Sequence, residues 1–116
     1  MPALGFVAPV LPGKTEIDRA AMASCRTGDR KAAYEESRRR AGITRESVWL
    51  QSTPMGDLVV VYFEADDVDK AMATLATSDD PFDRWFRDLV RDVHGISLED
   101  GFPPPEQMID FDAAAT

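Results

Sequence analysis

Tyr62 and Glu64 stand two residues apart in the run Asp57-Leu-Val-Val-Val-Tyr-Phe-Glu64, and in an extended chain residues two apart share a face. A phenol beside a carboxylate can hold a polar group or move a proton, so both are candidate acid–base residues. His94 is the third candidate: it is the one histidine of the chain, and imidazole is the side chain best suited to proton exchange at neutral pH. The run Glu46-Ser-Val-Trp-Leu-Gln-Ser52 lies upstream, joined to the first by Thr53-Pro-Met-Gly56. Pairing outward from that turn puts Ser47, Trp49 and Gln51 on one face with Leu58, Val60, Tyr62 and Glu64. This mixed face suits contact with a ligand or a partner. Trp49 can stack on an aromatic ligand or fill an interface, and Ser47 can pair with Tyr62 to orient a substrate or only to satisfy itself. The opposite face, with Val48, Leu50, Val59, Val61 and Phe63, reads as wholly apolar.

The elements that must position these residues follow from pattern and punctuation. Residues 4–10 read as a strand, and Pro12-Gly13 turns the chain into a helix with Thr15 as its N-cap and Asp18 three residues on. Its apolar stripe is Ile17, Ala20, Ala21, Ser24 and Cys25, interrupted at Gly28-Asp29. A second helix over about 30–41 buries Ala33, Tyr34, Ser37 and Ala41 and stops at Gly42. Tyr34 is its one large anchor. Glu35 with Arg39 and Glu36 with Arg40 are spaced for pairs on the outer surface, and helix dipole and solvation account for Arg38-Arg39-Arg40.

After the hairpin, Asp66-Asp67 caps a helix carrying Val68, Ala71, Met72, Leu75 and Ala76. Asp80 as N-cap, Pro81 at the first helical position and Gly95 as terminator delimit another. Phe82, Trp85, Phe86, Leu89, Val90 and Val93 form its stripe, an area large enough to dominate a core. His94 in the last turn suits the negative end of the helix dipole. A proline-stiffened connector through Pro103-Pro104-Pro105 leads to residues 107–111, read as a short last strand. The order β, α (broken), β, β, α, α, β predicts an α+β protein: a ferredoxin-like antiparallel sheet with helices on one face. The apolar hairpin face meets the helices, and a second copy is expected to cover the Trp49/Tyr62 face.

Residues 1–116 read as one domain, with an extension from about 96. A formal charge of −8 disfavours nucleic acid and anionic membranes as partners. A single cysteine, Cys25, offers no internal disulfide and reads as an inert buried thiol, so the expected compartment is the cytoplasm. The apolar start, broken by Pro9 and Pro12, reads as a strand and not a signal peptide. No metal-ligand spacing, phosphate-binding glycine loop or serine-nucleophile motif is present, so neither metal nor cofactor is expected.

Phe6-Val-Ala-Pro-Val-Leu-Pro-Gly-Lys14, Ala41-Gly-Ile43 leading into Ser47-Val-Trp-Leu50, and Val61-Tyr-Phe-Glu64 resemble the dimeric α/β-barrel superfamily. That superfamily includes antibiotic-biosynthesis monooxygenases, L-rhamnose mutarotase, polyketide cyclases and heme-degrading monooxygenases. Asp79-Asp-Pro-Phe-Asp-Arg-Trp-Phe86 is similar to a segment of bacterial members. The resemblance spans roughly residues 6–95 and implies a homodimer far more than a particular reaction. It also implies Trp85 and His94 as the tryptophan and ligating histidine of a heme-degrading relative, and Tyr34 as a helix residue reaching a cavity.

The reading is a dimeric protein for a small apolar or aromatic molecule, acting, if a catalyst, as a cofactor-independent cyclase, isomerase or monooxygenase. Tyr62, Glu64 and His94 supply proton transfer or polar contacts in that reading. Trp49, Tyr34, Ser47, Gln51 and Trp85 hold the substrate. The alternatives are a non-catalytic dimeric interaction module, and a heme-binding or heme-degrading protein that uses His94.

Overall fold

The hairpin organises the sheet. The structure, a computed structural model, describes residues 2–101 and 103–115. β2 (Ile43–Thr53) and β3 (Gly56–Ala65) pair with Ser47 opposite Tyr62, Trp49 opposite Val60 and Leu50 opposite Val59, as the alternation predicts. Thr53 fastens the turn, its hydroxyl donating to the Gly56 carbonyl at 2.6 Å and accepting the Met55 N–H at 3.1 Å. β1 (Ala3–Pro9) lies antiparallel on the other side of β3, so the described sheet has three strands in the order β1-β3-β2.

Four helices complete the α+β architecture, which is compatible with a ferredoxin-like fold: α1 (Thr15–Arg26), α2 (Lys31–Arg40), α3 (Val68–Thr77) and α4 (Pro81–His94). Asp67 and Asp80 cap α3 and α4 as their positions predict, accepting the Lys70 and Phe82 N–H groups at 3.0 Å each. Gly95 ends α4 at φ +69°, a left-handed conformation that costs a side chain about 1–2 kcal/mol. Between α1 and α2 the chain turns so closely that a Cβ on Gly28 would lie 2.7 Å from the Ser24 Cα. None of the described helices is long and apolar enough to cross a membrane.

Several expectations are corrected by the packing. Thr15 does not cap α1; its hydroxyl donates to Asp57 Oδ2 at 2.7 Å and ties the helix start to β3. The buried stripe of α1 is Asp18, Ala21 and Cys25, with Ile17 and Ala20 turned outward. On α2 the buried positions are Ser37 and Arg38, while Ala33 is exposed. The outer surface of α2 carries Lys31–Glu35 at 3.1 Å and Arg39–Glu36 at 3.8 Å in place of the two expected pairs. Residues 107–111 form no strand: Met108, Ile109 and Phe111 are exposed and β1 remains an edge.

The core over the inner sheet face is divided. One cluster joins Ala41, Ile43, Phe63, Ala65, Ala71 and Leu75, and a second joins Ala8, Val10, Val59 and Val93. The aromatic stripe of α4 only partly fills the space between helices and sheet. Phe86, Leu89 and Val90 are half-buried and line a cavity there.

Candidate functional site

The cavity has a volume of about 840 Å3 and draws walls from both core clusters, with Phe6, Val61 and Phe63 on the sheet side. Its polar groups include Tyr34 and Arg38 from α2, Asp18 and Cys25 from α1, and His94 from α4, with Arg19, Arg26, Glu35 and Glu46 also on the wall. The alternation that sends Val48 and Leu50 inward also sends Glu46 inward, so the inner face is apolar only from Val48 onward.

Glu46 anchors a network at one end of the cavity. Tyr34 donates to Glu46 Oε1 at 2.5 Å, and Arg38 Nε donates to the same oxygen at 2.9 Å. The Arg38 guanidinium is stacked against the rings of Tyr34 and Phe86, at 4.8 and 4.5 Å from their centroids. It also donates to Ser37 Oγ at 3.0 Å; Ser37 in turn donates to Asp83, and Arg40 reaches Asp83 Oδ2 at 3.0 Å. Burial, together with the Glu46 charge and hydrogen bond, pushes the Tyr34 phenol well above its ordinary pKa, so it stays protonated as a donor. Burial would also raise Asp83, but hydrogen bonds from Ser37, Ser78 and Arg40 outweigh it and hold that carboxyl below its usual range.

His94 and Asp18 supply the cavity's other titratable pair. His94 Nδ1 lies 2.8 Å from the Pro9 carbonyl oxygen; since a carbonyl only accepts, Nδ1 carries a proton. In the neutral ring Nε2 is therefore an acceptor. Burial raises Asp18, and the nearby His94 partly offsets this. Burial likewise pushes the Cys25 thiol up, consistent with an unreactive wall residue.

No family model matches the chain, and no curated protein or solved structure matches it. Among the described residues, no group of three or more His, Cys, Asp and Glu side chains is placed to hold a metal ion.

The structure brings Tyr34 and His94 to one cavity and puts the rest of the sequence candidates elsewhere. Ser47, Trp49, Gln51, Tyr62 and Glu64 lie on the outer sheet face, as the alternation predicts. Tyr62 donates to Glu64 Oε2 at 2.5 Å and not to Ser47, a bond that raises the phenol's pKa. Trp49 is exposed, and Val7, Trp49 and Tyr62 form a shallow groove with Pro103 and Pro105. Trp85 is not part of the cavity wall. Its ring packs against Phe82 and lies under the Arg30 guanidinium at 4.1 Å, so Trp85 and His94 do not meet at one site.

Asp18, Arg38 and Glu46 are the site residues that sequence reasoning missed. The signal for Glu46 is its parity with Val48 and Leu50. For Asp18 it is the i, i+3, i+4, i+7 spacing with Ala21, Met22 and Cys25, and for Arg38 the same spacing of Tyr34, Ser37, Arg38 and Ala41.

Proposed function

We propose that this protein binds a small, largely apolar organic molecule between its sheet and helices, as one protomer of a homodimeric α/β barrel. The observation that carries the proposal is the cavity of about 840 Å3, apolar over most of its wall with a few convergent polar groups. That volume falls within the roughly 300–1,000 Å3 of small-molecule sites. Resemblance to the dimeric α/β-barrel superfamily supports the same reading. Acid–base groups at the cavity suit proton transfer of the cyclase or isomerase kind on an apolar or aromatic metabolite, with His94 and Asp18 in place to exchange protons.

The dimer reading rests on the outer face. Val7 is 58% and Trp49 54% exposed, and no described helix covers them. A second copy, sheet against sheet, would remove both from water. Tyr62 and Glu64 then belong to the interface and the ligand contacts belong to the inner face. An interaction module without a ligand is the second reading, favoured by that same exposed Trp49.

A panel of naphthalenes, aromatic acids and polyketide-like compounds tests the function by thermal shift. Binding to the native state at 100 times Kd adds about 2.7 kcal/mol of stability. Val61→Trp places an indole in the cavity and is expected to abolish any stabilisation while the dimer mass persists. A dimer that responds to no compound favours the interaction module.

A further inference from the structure

Asp18 differs from the other inward carboxylates. Glu46 receives Tyr34 and Arg38, and Asp83 receives Ser37 and Arg40, whereas the Asp18 carboxylate receives no hydrogen bond from any described residue. Yet Asp18 is only 6% exposed and lines the cavity. None of the described side-chain oxygens is both sealed from water and unpartnered, so the Asp18 carboxylate opens to the cavity, where a ligand that brings a donor takes the place of water. His94 reinforces the demand. Its Nδ1 is committed to Pro9, and the neutral ring offers Nε2 as a second acceptor on the same cavity wall.

The remaining wall selects among donors. Arg26 lines the cavity and makes no ion pair among the described residues, which disfavours a cationic ligand. Phe6, Phe63 and Phe86 offer aromatic surface to a flat ring. We propose that Asp18 and His94 form the polar end of the cavity and take the hydroxyl of a hydroxyaromatic ligand, a phenol or naphthol. The ring lies among the phenylalanines and the hydroxyl donates to the Asp18 carboxylate. This deepens the proposed function and rests on the cavity being a ligand site.

Calorimetric titration of the full chain with 2-naphthol, 2-methoxynaphthalene and 2-naphthylmethylammonium tests the assignment. The expected result is 2-naphthol binding tighter than its methyl ether by on the order of tenfold, the effect of one hydrogen bond to a charged group. Asp18→Asn should erase that preference by weakening naphthol and leaving the ether unchanged. Fluorescence adds a readout that a structural role would not move: an excited naphthol in contact with a carboxylate transfers its proton and emits as naphtholate. That emission, read from the bound fraction, should be weaker in Asp18→Asn than in the wild type. If the variant does not fold, the wild-type preference for naphthol over its ether still decides. Equal binding of naphthol and ether overturns the Asp18–His94 assignment and leaves the cavity reading intact. Tighter binding of the ammonium overturns the choice of hydroxyl. Binding of no naphthalene overturns the assignment together with the cavity reading for aromatic ligands.

Discussion

The Nδ1 nitrogen of His94 lies 2.8 Å from the carbonyl oxygen of Pro9, joining the last residue of α4 to the last residue of β1. The bond fixes the ring's tautomer and closes one end of the cavity. The Leu11 N–H donates to the Val93 carbonyl at 2.8 Å, so two consecutive α4 residues hold the chain that leaves β1. His94→Ala removes the side-chain bond and should cost about 0.5–1.5 kcal/mol in urea denaturation. His94→Asn, whose amide nitrogen occupies the place of Nδ1, should recover most of the loss. Equal destabilisation by both would show that the bond does not hold the strand.

The Glu46 network should break asymmetrically. The Arg38 and Glu46 side chains are 7% and 10% exposed, so Glu46→Ala leaves a buried guanidinium without its carboxylate, at a cost of about 3–5 kcal/mol. Tyr34→Phe removes one donor from a carboxylate that keeps its arginine and should cost less, about 1–3 kcal/mol. Equilibrium unfolding of the two variants gives the order directly.

Asp18 and Asp83 shift in opposite directions, and so do their effects on stability against pH. Asp18 has a raised native pKa, so its favourable contribution is full below the ordinary aspartate value and lost as pH rises through the native one. Asp18→Asn should therefore gain on the wild type over that interval and hold its advantage above it. Asp83 has a lowered native pKa; its contribution is full above the ordinary value and lost as pH falls through the native one. Asp83→Asn should be destabilised at neutral pH and converge on the wild type in acid. Denaturation midpoints measured from acid to neutral pH separate the two profiles.

Charge placed on the outer sheet face should act on assembly alone. Val7→Glu with Trp49→Glu introduces like charges into the proposed sheet-to-sheet contact, and sedimentation should then report a monomer. Ligand binding in the cavity should survive, because both residues point away from it.

How the fold became legible shows in particular residues. Alternation along β2 and β3 gave the register that pairs Ser47 with Tyr62, and Asp67, Asp80, Pro81 and Gly95 marked α3 and α4, because strand parity and helix capping are local properties of the chain. Thr15 misled because a hydroxyl at a helix start has a second acceptor in Asp57, brought near only by folding. Asp18, Arg38 and Glu46 carried the right spacing for inward faces but the wrong polarity for a core. Hydropathy assigns such charges to solvent, and only packing supplies the partners that let Arg38 and Glu46 enter and the cavity that leaves Asp18 alone.

By itself, the sequence determined the β2–β3 pairing, the ends of α3 and α4 and the separation of an apolar from a mixed sheet face, since each depends on neighbours a few residues away. The tertiary structure decided which helix faces turn inward and that the core divides around a cavity. It also decided that Tyr34 and His94 share that cavity while Tyr62 and Glu64 do not. Those outcomes depend on how side chains distant in the chain fill one common volume, and no local pattern encodes that sum.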